Sequence, residues 1–144
     1  MPSLTTRSAD LQNVGPVIET WVIPSKAYRE NLPQDKNIQP PSVRLVMLVD
    51  TGASVSAIKT GVAQKLGLTS HGITKIATAS HKEFECPLYD VDLFFPNHKI
   101  AITNVVVFET NFEGQNIDGL IGRDILKNGL MIYSGYDNTF ILSF

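Results

Sequence analysis

Apolar positions alternate or run together in short blocks along most of the chain, and the blocks are separated by turn residues. "SVRLVMLV" (42–49) is a near-continuous apolar run and predicts a strand buried on both faces. "PVIETWVI" (16–23) is rich in β-branched and aromatic residues and predicts another. "ITKIATA" and "FECPLYDVDLFF" flank a polar tip at Ser80, His81 and Lys82, which predicts a long hairpin over 72–95. "KIAITNVVVFE" follows the turn "PNH" as a further strand. "LMIYS", the turn "GYDN" and "TFILSF" close the chain as a hairpin. Helical patterning is confined to two places. "TGVAQKLGL" predicts a short helix with Thr60 as N-cap and Gly67 as its stop. "IDGLIGRDILKNG" predicts a short strand and then one or two helical turns ended by Gly129. The expectation is a mostly β domain with one or two short helices.

Two segments break the pattern. Residues 1–14 are polar and are expected to form a flexible leader ahead of a single domain over 15–144. Residues 25–41, with Pro33, Pro40 and Pro41, read as a loop insertion that is long for a compact domain. The terminal "TFILSF" is apolar and β-prone, and an exposed edge of that kind promotes aggregation. A partner subunit covering it is the simplest remedy.

Composition narrows the class of function. A chain of 144 residues suffices for one domain with a real core, and 43% hydrophobic against 18% charged residues describes a folded protein. The formal net charge is −2 and the basic residues are scattered, so neither nucleic acid nor an anionic membrane is an expected partner. Cys86 is the sole cysteine, which excludes an internal disulfide and fits a reducing compartment. The N-terminus lacks the apolar core of a signal peptide, and no run reaches membrane-spanning length, so a cytoplasmic location is expected. His71, His81 and His98 form no metal-ligand spacing.

The candidate chemistry lies in "LVMLVDTGASVSAI" (45–58). An ionised Asp at the end of an apolar strand is costly unless it is solvated or hydrogen-bonded. Gly52 permits a sharp turn and close approach of another chain, and Thr51 supplies a hydroxyl. An ordinary turn uses the same residue types. The second feature is "IDGLIGRDIL" (117–126), about seventy residues later. With "LVDTGAS" it resembles the retropepsin-like (retroviral-type) aspartic proteases, in which a strand runs into Asp-Thr/Ser-Gly and a later apolar pair runs into Gly-Arg-Asp/Asn and a short helix. The resemblance spans Gly15 to Phe144. It is greatest to free-standing bacterial members, through the "GP" opening and the "IGRDIL…Y.G…F.LSF" ending.

That resemblance implies the retropepsin-like acid protease fold, a closed β-barrel-like domain whose half-site is completed by homodimerisation. Aspartic proteolysis uses two carboxylates sharing a proton and a water. The chain has one Asp-Thr-Gly, and Asp118, Asp124 and Asp137 stand in other contexts, so the dyad requires Asp50 from each of two subunits. The implied activity is endopeptidase cleavage of peptide or protein substrates without metal or organic cofactor. By the same resemblance Thr51 braces the paired loops, and Ala53, Ser54, Thr78, Ala79, Ser80, Leu120 and Ile121 face substrate. The tip from Thr78 to Lys82 is then the flap, while Gly122, Arg123 and Asp124 are structural. Departures are Ser54 where viral members carry an acid, a tip without glycines, and the 25–41 insertion. With an acid absent at 54, Arg123 is expected to pair with Asp124 or a backbone carbonyl. The alternative function is a non-catalytic domain of this fold, used for dimerisation or peptide binding.

Overall fold

The computed structural model describes residues 1–31, 39–77 and 83–144. Among the described residues, ten strands form two sheets and four short α-helices lie between them. Strands β2 (Val17–Pro24), β3 (Val43–Val49), β4 (Ala57–Lys59), β6 (Glu83–Phe95), β7 (Ile100–Thr110) and β8 (Gly119–Ile121) run in the order β2-β3-β8-β4-β7-β6. A β2–β6 pairing closes the ring into a six-stranded barrel. Closure leaves the ring without free edges. β5 (Gly72–Ala77) extends outward on β6 as the other arm of a hairpin.

Alternation fills the barrel. Along β2, Ile18, Thr20, Val22 and Pro24 are buried while their neighbours are half-exposed. Along β3, Leu45, Met47 and Val49 point inward. The run "RLVMLV" is therefore not buried on both faces: Val46 and Leu48 lie on the half-covered outer side of the wall, whose antiparallel pairing tolerates one solvated face. Trp21 is likewise on the outer wall, opposite Arg44 and Phe94. Phe95, Val91, Leu93 and Ile121 complete the main core with Phe140, Leu142 and Leu4.

The Thr20 hydroxyl is buried with no hydrogen-bond partner among the described residues. An unsatisfied buried hydroxyl costs stability that an isosteric methyl does not. Thr20→Val is therefore expected to stabilise the fold by about 1 kcal/mol, read as a higher midpoint in urea unfolding.

Three expectations about the periphery are corrected. Residues 1–14 are not a loose leader: β1 (Ser3–Arg7) pairs antiparallel with β10 (Thr139–Ser143), and α1 (Leu11–Val14) follows, N-capped by Asp10. Leu4 and Leu11 supply the anchorage, since both are fully buried. β10 is consequently no open edge. It lies between β1 and β9 (Leu130–Ser134) in a three-stranded sheet, and the chain itself covers it.

The start of the 25–41 segment is also built in. Ser25 caps α2 (Lys26–Glu30). The buried carboxylate of Asp92, at an irregularity of the β6–β7 ladder, accepts from Lys26 N, Asn104 N and the Arg29 guanidinium. A buried carboxylate is sustained by such a set of donors. The third correction concerns α3 (Val62–Lys65), which starts later than a Thr60 cap would place it. The Thr60 amide is engaged by the Thr110 carbonyl, Gly61 turns the chain at φ 94°, and the Glu109 carboxylate receives the free Ala63 N–H.

Candidate active site

β3 and β8 run parallel in a barrel otherwise dominated by antiparallel pairs, with Met47, Leu48 and Val49 in register with Gly119, Leu120 and Ile121. Parallel pairing brings two carboxyl ends to the same rim. The Asp50 loop and the Gly122–Asp124 turn therefore leave the barrel side by side. The Asp50 N–H donates to the Ile121 carbonyl at 2.9 Å, which continues the ladder to the carboxylate itself.

The loop then folds tightly on Asp50. Gly52 N–H donates to Oδ1 at 2.8 Å and Ala53 N–H to the Asp50 carbonyl at 3.2 Å. Oδ2 accepts no hydrogen bond among the described residues. Asp50 and Ala53 are half-buried, while Thr51, Gly52 and Ser54 are exposed. One carboxylate oxygen is thus held by the backbone and the other is left for an incoming group.

The later motif clamps this loop from behind. Gly122 N–H donates to Ser56 Oγ at 2.9 Å, and Arg123 N–H to the Ala53 carbonyl at 2.9 Å. Asp124 accepts from Ser56 N–H at 3.0 Å and from Ser56 Oγ–H at 2.7 Å. Arg123 reaches over to the Thr51 carbonyl at 2.7 Å. Of the two partners expected for Arg123 the backbone carbonyl is the one found. Asp124 is not its ion-pair partner, because its carboxylate is turned to Ser56. Gly122 is required by space: a Cβ there would stand 2.9 Å from Val55 C and about 3 Å from the carbonyl oxygens of Val55 and Ala53. Asp118 does not approach as a second acid. It accepts from Val46 N–H and faces Lys59 Nζ at 3.7 Å, tying β3 to β4.

Leu120 and Ile121 part company. Successive strand residues face opposite sides, and Ile121 is fully buried in the main core, where no substrate reaches it. The expectation that it faces substrate is corrected on that ground. Leu120 is half-exposed and packs against a second, smaller apolar cluster of Ala57, Cys86, Phe108 and Phe112. Val55, Ile76, Leu88 and Ile117 flank the same cluster, and sequence reasoning passed over them. Ile76 was legible in principle: Thr74, Ile76, Cys86 and Leu88 share one face of the β5–β6 hairpin by register. Phe84 is opposite Ile76 on that face and is 48% exposed. Thr78, Ala79 and Ser80, with the rest of the expected flap tip, lie outside the described residues.

Burial raises the Cys86 thiol above its usual range, opposed by a hydrogen bond with the Thr110 side chain. A protonated, buried thiol is a packing group rather than a nucleophile. Among the described residues, no group of three or more His, Cys, Asp or Glu side chains is placed to hold a metal ion. Among them too, no helix is long and apolar enough to cross a membrane. A cleft of about 520 Å³ opens between β7 and α4 (Arg123–Leu126), with Val55, Leu88 and Lys127 in its wall; Asp50 is not among the residues lining it.

The strand-borne Asp-Thr-Gly loop and its Gly-Arg-Asp clamp agree with a comparison to family models: residues 41–125 match the aspartyl protease model. The chain belongs to the aspartyl protease family. The match contains every part of the clamp, from the Asp50 loop to Asp124. Among solved structures, this aspartyl protease is similar to the crystal structure of a retropepsin-like aspartic protease from Rickettsia conorii. The TM-score is 0.56 at 16% identity, over 99% of this chain and 91% of that one. The fold is thus retropepsin-like. No curated protein matches the sequence.

Proposed function

We propose that the protein is a homodimeric aspartic endopeptidase whose catalytic pair is Asp50 from each subunit. The observation that carries this reading is the Asp50 loop itself. Its carboxylate stands at the barrel rim with one oxygen held by Gly52 N–H, and no second carboxylate of the chain is brought to it among the described residues. Peptide hydrolysis by a water molecule needs a base to deprotonate the water and an acid on the carbonyl oxygen. Two like carboxyls sharing a site divide those roles, because one proton between them is favoured over two negative charges.

In the reaction, the ionised Asp50 takes a proton from water as its oxygen adds to the scissile carbonyl carbon. The protonated Asp50 of the other subunit gives its proton to the carbonyl oxygen, forming a neutral gem-diol. Collapse of the gem-diol breaks the C–N bond. The amine nitrogen takes a proton from one carboxyl, and the diol returns one to the other, so the pair ends as it began. Thr51, exposed at the tip of the loop, is assigned to the contact between the paired loops. Ala53 and Ser54 run along the substrate backbone, and Leu120 with Val55 and Ile76 forms an apolar wall for a substrate side chain. Thr78, Ala79 and Ser80 are assigned to the covering flap.

The test is cleavage of a peptide library by the purified protein, with and without a statine-type mimic of the gem-diol. The expected result is cleavage next to apolar residues, abolished by the mimic. The rate should trace a bell against pH on the acidic to neutral side, since the pair must hold one proton. Activity that is insensitive to the mimic and keeps rising into alkali would contradict the reading.

A further inference from the structure

We infer that the cleft between β7 and α4 is an exosite, where an extended, acidic stretch of the polypeptide substrate adds as a strand to the edge of β7. The inference rests on the peptidase reading above and carries it to a surface that Asp50 does not line.

No strand of the ring is uncovered along its whole length, but β4 is short and covers β7 only at Phe108, Glu109 and Thr110. Phe108 N–H donates to the Ser56 carbonyl at 3.3 Å, so the peptide groups of Phe108 face β4. In an antiparallel pair, alternate residues turn their peptide groups to the same edge. Val106 therefore turns its N–H and C=O to the β4 side, beyond the point where β4 begins. Neither group has a backbone partner there among the described residues. Asp90, opposite Val106 on β6, agrees with this parity: its carbonyl accepts from Ser25 N–H, on the side of β2. From Ile100 to Phe108 the strand carries no charge that would turn another strand away. A bare edge beside a cleft is the arrangement by which extended peptides are held, main chain to main chain.

The walls of the cleft decide what such a strand must carry. Val55, Leu88, Ile102 and Ile125 are apolar, and Lys127 is the one cation lining the cleft among the described residues. Lys127 makes no ion pair among those residues. Asp124, the one acid of the wall, is taken up by Ser56 and by the Ile125 N–H. A strand with apolar side chains on one face and carboxylates on the other complements an apolar floor with a cation at its rim. The substrate is the occupant because the cleft continues the substrate wall. Val55 and Leu88 flank the apolar cluster beside Leu120 and also line the cleft. Val55 stands two residues beyond Ala53, so a chain lying along Ala53 and Ser54 passes it and enters the cleft.

The probe is a fluorescein-labelled peptide, Thr-Val-Glu-Val-Glu-Val-Thr, whose binding is followed by anisotropy. The protein is expected to bind it about fivefold more tightly than the same peptide with lysines for glutamates, by a margin that shrinks as salt is added. Lys127→Glu, at an exposed position, should reverse that order. Two further peptides, each N-methylated along one edge of the strand, separate strand addition from simple apolar binding. Methylation of the edge that faces β7 should weaken binding about tenfold, and methylation of the other edge should change it little. The Val106 amide should become protected from hydrogen exchange in the complex. In turnover, a substrate from the peptide library is extended by the acidic or the lysine stretch, at each end in turn. At one end the acidic extension should give a KM about fivefold lower than the lysine extension at similar kcat, and Lys127→Glu should invert that ratio. Equal binding of the acidic and lysine peptides, indifference to Lys127→Glu, or methylation that matters on neither edge overturns the exosite. Binding is read without turnover, so a protein that cleaves no peptide at all overturns instead the catalytic reading on which the inference rests, and the surface is then judged on the affinities alone.

Discussion

Asp50→Asn is expected to keep the fold and lose cleavage by about a thousandfold or more. The amide oxygen can accept the Gly52 N–H that Oδ1 accepts in the native loop, so the turn survives the substitution. What the amide cannot do is take a proton from water or pass one to the leaving nitrogen. Unfolding midpoints equal to wild type, together with turnover at background, are the expected pair of measurements. Loss of stability along with activity would make the result a folding effect. Substantial activity in a folded variant would remove Asp50 from the chemistry.

Gly122→Ala is expected to cost about 3 kcal/mol of stability and most of the activity. The atoms in the way are main chain: Val55 C, Val55 O and Ala53 O. Main chain cannot turn aside as a side chain does, so either the loop from Asp50 to Ser56 retreats or the later motif does. Either movement pulls Gly122 N–H off Ser56 Oγ and Arg123 N–H off the Ala53 carbonyl, leaving the buried Gly122 donor unmet. Gly114 is a useful contrast. Its Cβ would meet open space, so alanine there carries only the strain of a φ of 78°, about 1 kcal/mol, and should leave cleavage intact. A urea series comparing the two variants measures the difference directly. Equal effects at both positions would mean that the clamp does not hold the loop.

The barrel strands were legible because their alternation is strong and local: Ile18, Val22, Leu45, Met47 and Val49 declare their faces without reference to anything distant. The parts of the candidate site were legible for a different reason. Asp50, Gly122, Arg123 and Asp124 sit in two short motifs whose residue types are dictated by close contact and hydrogen bonding. What those groups touch was not. Arg123 binds a carbonyl, and a carbonyl has no residue identity to read. Asp124 binds Ser56, which in sequence is one small polar residue among several.

Ile121 was misplaced beside Leu120 because an apolar pair in sequence looks like one surface. On a strand it is two, and the pleat sends Ile121 to the core. The N-terminal strand was missed because Leu4 is a lone large apolar residue among polar ones from Ser3 to Arg7. Its partner, Leu142, lies at the opposite end of the chain, and a periodicity window cannot hold both. Asp92 did leave a signal: an acid inside "YDVDLFF" is out of place on a barrel wall unless donors converge on it, as Lys26, Arg29 and Asn104 do.

The reading of the site as a shared one is tested most directly by mixing wild-type chains with Asp50→Asn chains and allowing the subunits to exchange. Random assortment with a ninefold excess of the variant leaves about one wild-type chain in ten paired with another. If each site needs both acids, activity per wild-type chain falls to about one tenth of its unmixed value. If a single chain carries a complete site, activity per wild-type chain stays where it was, and the account is contradicted.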